Sequence, residues 1–140
     1  MLAEVDQLET NTWRQCTTGY SKVLFEKEEN DFLDSFVNNL FETGKTIAAI
    51  CAAITYLGKK GFLNKLKHTS NALFYLKSFA PEYSGERNYV NSLAVTDQNI
   101  ITAKGIAPIE FARAVFQKLK IHSEDIEKWF QLFKNGIWKE

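Results

Sequence analysis

One nineteen-residue stretch, KTIAAICAAITYLGKKGFL from Lys45 to Leu63, limits the fold more than any other part of the chain. Ile47 to Ile50 is a short apolar run with β-branched residues at both ends; Cys51 follows at once, and then a segment of helical character that closes at Lys59-Lys60-Gly61. A buried strand running directly into a helix through one reactive side chain describes a nucleophile elbow. So sharp a turn admits only small neighbours, and they are Ala48, Ala49, Ala52 and Ala53. The first N–H groups of the helix face the sulfur, a field that favours negative charge there. The plainer alternative is a buried structural cysteine, since free Cys is among the residues most often buried.

The segments around this stretch alternate between helix and strand. From Glu28 to Thr43, Phe32, Leu33, Phe36, Val37, Leu40 and Phe41 share one helical face, with Glu28, Glu29 and Asp31 in the first turn. Gly44 is placed to end that helix in a left-handed conformation. A helix feeding Ile47 to Ile50, followed by another helix, calls for parallel strand pairing. Further on, Leu66 to Thr69 reads as a strand, and Ser70 or Asn71 as the cap of a helix over Ala72 to Phe79. Tyr89 to Thr96 reads as a strand turning at Asp97-Gln98-Asn99 into Ile100 to Ala103, a hairpin. Pro108 opens a helix to Lys120, and Ser123 caps a last one with Ile126, Trp129, Phe130 and Phe133 on one face and Gly136 as its stop. Met1 to Lys27 has no sustained period; Thr12 to Cys16 and Val23 to Phe25 are its strand candidates.

Composition removes several function classes. Lys plus Arg and Asp plus Glu balance at 17 each, which draws the chain neither to nucleic acid nor to anionic lipid. The longest apolar run, Ile47 to Ile54, is far short of the ~20 residues of a membrane span. With no signal peptide at Met1 and only two cysteines, Cys16 and Cys51, the expected setting is cytoplasmic and without a disulfide framework. No His-x-x-x-His or Cys-x-x-Cys pattern occurs, so neither metal nor cofactor is expected. At 140 residues the chain is one domain by size.

Three motifs in order, AAICAA, HTSN (His68 to Asn71) and DQNIITAKGIAPIEFA (Asp97 to Ala112), resemble the ThiJ/PfpI family. That family lies within the class I glutamine amidotransferase-like superfamily and includes a Parkinson's-linked protein deglycase and intracellular proteases. The resemblance is strongest over 28–119, within a 28–140 domain that follows a poorly readable 1–27 segment. It implies a three-layer, flavodoxin-like α/β fold with a parallel sheet and a C-terminal hairpin. Only fifty residues precede Cys51, too few for the family's opening half-sheet, so a chain lacking the N-terminal part is expected. The implied activity is that of a cysteine-dependent hydrolase of amidase, protease or deglycase type acting on a small molecule or peptide, and the implied assembly is a homodimer.

Cys51 is then the nucleophile and His68, the nearest histidine, its partner, because Cys–His pairing is the usual way to activate a thiol. The plainer reading of His68 is a hydrogen-bonded histidine at a strand end. In the family an acidic residue from the opening strand also tunes the cysteine; Glu4, Glu9 and Glu26 do not single one out. Glu110 matches the family's glutamate but also reads simply as a first-turn acid favoured by the helix dipole. Thr102 and Gly105 match positions that shape the loop near the elbow, His122 reads as surface, and Cys16 has no motif around it. Two further readings remain: a redox-sensing thiol on a stress-associated dimer, and an inactive, truncated family member.

Overall fold

A computed structural model of the chain describes residues 2–4, 31–121 and 123–138. The expected strands over Thr12 to Cys16 and Val23 to Phe25 lie outside the described residues, as do Cys16, Glu9, Glu26 and His122. The first helix, α1 (Asp31–Glu42), packs Val37 and Leu40 into the core, with Leu33, Phe36 and Phe41 against them. Phe32, expected on the same buried face, is instead 74% exposed and stacks on Phe36. Gly44 takes φ 71° as the sequence suggests. Lys45 N–H reaches back to Leu40 C=O and Gly44 N–H to Phe41 C=O, the paired bonds of a Schellman stop. The reversal delivers the chain into β2 (Ile47–Ile50).

The sheet has four strands in the order β1 (Leu2–Glu4), β2, β4 (Ile100–Ala103), β3 (Ala94–Asp97). β2 runs parallel to β4 (Ile100–Ala103), with Ile47 opposite Ile100 and Ile50 opposite Ala103. β3 (Ala94–Asp97) makes the expected antiparallel hairpin with β4. β1 (Leu2–Glu4), which the sequence did not suggest, lies antiparallel to β2 on its other side. Alternation along the strands sends side chains into two cores. Ile47, Ala49 and Ile100 face one core with α1, α2 (Ala53–Lys59) and α3 (Leu73–Phe79). Ala48, Ile101 and Ala103 face the other with Phe111 and Val115 of α4 (Pro108–Lys118) and Leu119 at its C-cap. The outermost helix, α5 (Ser123–Asn135), joins α4 through the Phe116–Trp129 edge contact and the Arg113–Glu127 ion pair. The result is the three-layer α/β architecture expected from the sequence.

Two expected strands are shorter in the structure, for identifiable reasons. Over Leu66 to Thr69 only His68 pairs, in an isolated parallel bridge with Tyr89. The next N–H, that of Thr69, goes to the Thr102 hydroxyl at 2.9 Å, so a side chain takes the place of a ladder partner. Over Tyr89 to Thr96, the Ser92 N–H turns back to Val90 C=O at 2.8 Å, and this three-residue turn delays the strand to Ala94. Val90 and Leu93, two apolar residues of that run, are accordingly exposed.

Candidate active site

The chain turns from β2 into α2 at Cys51, whose φ of 61° is left-handed. A residue with a Cβ is uncommon there, at a cost of order 1–3 kcal/mol, and it persists only where the surroundings over-determine it. Two constraints are visible. Cys51 N–H donates to Ala103 C=O at 3.0 Å, continuing the β2–β4 ladder by one residue, and Ile54 N–H donates to Cys51 C=O at 3.3 Å, already winding the helix. Buried Ala49 and half-buried Ala52 flank the corner, so the small residues noted in the sequence allow the sharp turn. The cysteine stands exposed with a free thiol. The reading as a buried structural cysteine does not match this placement.

Two other loops meet the sulfur. The Asn71 amide nitrogen donates toward Cys51 Sγ at 3.4 Å, and the Asn71 side-chain oxygen accepts from Gly105 N–H at 2.7 Å. At Gly105 a Cβ would come within 2.8 Å of Sγ and 3.1 Å of Cys51 Cβ, so no side chain fits without moving the thiol. The expectation that Gly105 shapes this loop therefore has a steric basis. Thr102, the other loop-shaping position, is buried in β4 and holds Thr69 N–H. Cys51 and Gly105 immediately follow the C-terminal ends of the parallel strands β2 and β4 or lie close beyond them, where open α/β sheets form their ligand crevices.

Asn71 is the residue that sequence reasoning placed differently, as a helix cap. The N-cap of α3 is Ala72, with no side-chain capping bond. Asn71 instead turns its side chain to the thiol, and Ser70 Oγ donates to Ala72 C=O. No local signal marks this, since Ala72 reads in the sequence as the helix's first residue and becomes its N-cap only in the fold.

His68 is in a different environment. Its side chain is fully buried, Nδ1 lies 2.7 Å from Leu66 C=O, and Nε2 lies 2.5 Å from the Tyr83 hydroxyl. Leu66 C=O can only accept, so Nδ1 carries the proton and the neutral ring accepts from Tyr83 O–H at Nε2. Tyr83 and Tyr89 contact the ring edge-on. Burial pushes its pKa below the ordinary 6.5, against the raising influence of the Leu66 carbonyl. Both ring nitrogens are thus engaged away from Cys51. Glu110 pairs with Lys134 of α5 at 2.5 Å. Among the described residues no cluster of His, Cys, Asp or Glu suits a metal ion, and no helix is long and apolar enough to cross a membrane.

The profile of the DJ-1/PfpI family matches residues 25–118, which include the elbow, HTSN and the β3–β4 hairpin. The chain belongs to the DJ-1/PfpI family. Over 99 residues it is 46% identical to a Bacillus subtilis protein described as an uncharacterized protease, YoaZ, covering 70% of this chain and 47% of that one. A second Bacillus subtilis uncharacterized protease, YdeA, is 35% identical over 111 residues, 79% of this chain and 56% of its own. Thus the chain spans about half the length of the curated relatives it matches. Among solved structures, a thiJ/pfpI family protein from Bacillus anthracis superposes with a TM-score of 0.73 at 38% identity, covering 75% of this chain and 50% of that one. A DJ-1 superfamily protein from Agrobacterium tumefaciens gives 0.69 at 34% identity, covering 79% and 59%. These likenesses show the flavodoxin-like α/β fold of the family.

Proposed function

We propose that this chain carries the nucleophile corner of a cysteine-dependent hydrolase of amidase, peptidase or deglycase type, with Cys51 attacking a carbonyl carbon. The observation that carries this reading is the left-handed Cys51 on an exposed strand-to-helix turn, a costly conformation that presents a thiol to solvent. The relatives described as uncharacterized proteases support the same reaction type. In the attack, a bond forms between Sγ and the carbonyl carbon while the C=O π pair moves onto oxygen. The N–H of Ala52 opens α2, where backbone donors have no intrahelical acceptor, and it serves the developing oxyanion. His68 contributes by fixing the HTSN segment rather than by taking a proton from the thiol, since both its nitrogens are occupied.

That same occupancy favours a second reading, a redox-sensing thiol, which needs exposure but no base. The two separate cleanly in Cys16→Ser protein given p-nitrophenyl acetate. A hydrolase releases p-nitrophenolate over many turnovers and loses this in Cys51→Ala. A single stoichiometric release that leaves acetylated Cys51, together with reversible uptake of one oxygen from dilute peroxide, would move the assignment to sensing.

A further inference from the structure

We infer that Asn71 is a catalytic residue of this site, donating a side-chain N–H to the oxyanion formed when Cys51 attacks an acyl group; the inference rests on the reading of Cys51 as nucleophile. The orientation of the amide follows from its neighbours. Gly105 N–H can only donate, so the atom it meets at 2.7 Å is the amide oxygen, and the NH₂ group must face the thiol. One N–H points at Sγ, 3.4 Å away. The other has no protein acceptor among the described residues, and Asn71 is exposed. A carbonyl carbon bonded to Sγ can bring its oxygen within hydrogen-bond reach of a nitrogen already in contact with that sulfur.

The amide is also held for the task. Thr69 N–H and Oγ bind the Thr102 hydroxyl and Ser92 C=O at 2.9 and 2.8 Å, and Ser70 Oγ binds Ala72 C=O at 2.9 Å. His68 is locked at both nitrogens. Three consecutive anchored residues therefore precede Asn71, and Gly105 fixes its far end. A donor aimed in advance at the place where charge develops is the arrangement that stabilises such a transition state. An amide does not titrate, so its help is independent of pH. The ligand class is an acyl compound with a leaving group, such as an ester, a thioester or an activated amide.

The test compares two reactions of the same sulfur. Acylation by p-nitrophenyl acetate passes through an oxyanion: Sγ⁻ bonds to the carbonyl carbon, the π pair moves to oxygen and returns, and the C–O bond breaks to release p-nitrophenolate. Alkylation by iodoacetamide displaces iodide at a saturated carbon and forms no oxyanion. In Cys16→Ser protein, Asn71→Ala is expected to slow acylation by about 10²-fold, the low end for loss of a side-chain oxyanion donor, because this site is open to water. Alkylation should change at least tenfold less. Asn71→Asp keeps an acceptor for Gly105 but removes the donor, and should lose acylation at least as fully. Equal slowing of both reactions would overturn the inference in favour of a contact that only positions the sulfur, and no slowing of either would overturn it outright. If the parent protein acylates no faster than N-acetylcysteine, the nucleophile reading itself fails, a result distinguishable from either.

Discussion

Cys51 and His68 are the two side chains of the described structure best suited to nucleophilic chemistry, and the fold treats them in opposite ways. The cysteine sits on a left-handed turn, exposed, with its sulfur touched by one amide. The histidine sits in the core with every polar atom of its ring engaged. Strain and exposure accompany the first; satisfaction and burial accompany the second. The comparison teaches that a residue's chemical capability matters less than whether its reactive atom is already in use. A buried, doubly bonded imidazole has its polar atoms satisfied where it stands, whereas a left-handed, exposed thiol keeps its reactive atom open to solvent.

The contrast can be broken most directly at the cysteine. Cys51→Gly should abolish acylation by p-nitrophenyl acetate while leaving stability unchanged or raised by up to ~1 kcal/mol, because glycine adopts φ 61° without strain. A clear loss of stability on urea unfolding would mean that the turn stores no strain. The mirror experiment is His68→Ala, which removes two hydrogen bonds and leaves the Tyr83 hydroxyl unpaired in a cavity. Stability should fall by about 2–4 kcal/mol. His68→Gln, which can keep one of those bonds, should leave the pH profile of Cys51 alkylation the same as in the parent protein. A profile that loses an inflection in His68→Gln would restore histidine as a proton acceptor.

Gly105→Ala sharpens the cysteine side. Its Cβ would lie 2.8 Å from Sγ, so the thiol must shift, and alkylation should slow several-fold at a stability cost of about 1–3 kcal/mol. His68 also predicts a pH dependence. Its folded pKa is lowered, so as pH drops through 6.5 the unfolded chain takes up a proton that the folded pocket refuses. This contribution to stability is complete above that value, is lost from there down to the folded pKa, and then levels, with a slope of at most about 1.4 kcal/mol per pH unit. Urea midpoints across pH 7.5 to 5 should show it, and His68→Gln should flatten it. The smallest effect belongs to Lys134→Ala, which removes the partner of Glu110 and should cost under ~1 kcal/mol without altering Cys51 alkylation. A change in alkylation there would connect Glu110 to the site.

The elbow, the Gly44 stop and the β3–β4 hairpin were legible because each is a local signal. Small residues around Cys51, a glycine after a helical stripe, and a turn tripeptide between apolar runs act on the backbone within a few positions. The strands at Leu66 and Tyr89 were over-read for a complementary reason: apolar spacing does not reveal that Thr102 will take the Thr69 N–H from 33 residues away. β1 is too short to carry a pattern. Phe32 follows the right period but stands at the start of its helix, where the neighbouring layer no longer covers it, and Leu93 falls in the turn before β3.

HTSN shows the division most sharply. The sequence by itself determined that a polar, hydrogen-bonding tetrapeptide follows the elbow helix and that Cys51 occupies a turn tight enough to demand alanines. It did not determine which member meets the thiol. Asn71 joins Cys51 across 20 residues and Gly105 across 34, while His68, three positions earlier, turns into the core toward Tyr83. Only tertiary packing decides that, because local sequence sets the direction of the backbone, whereas the partner of a side chain depends on which distant loops the sheet brings to the same strand ends.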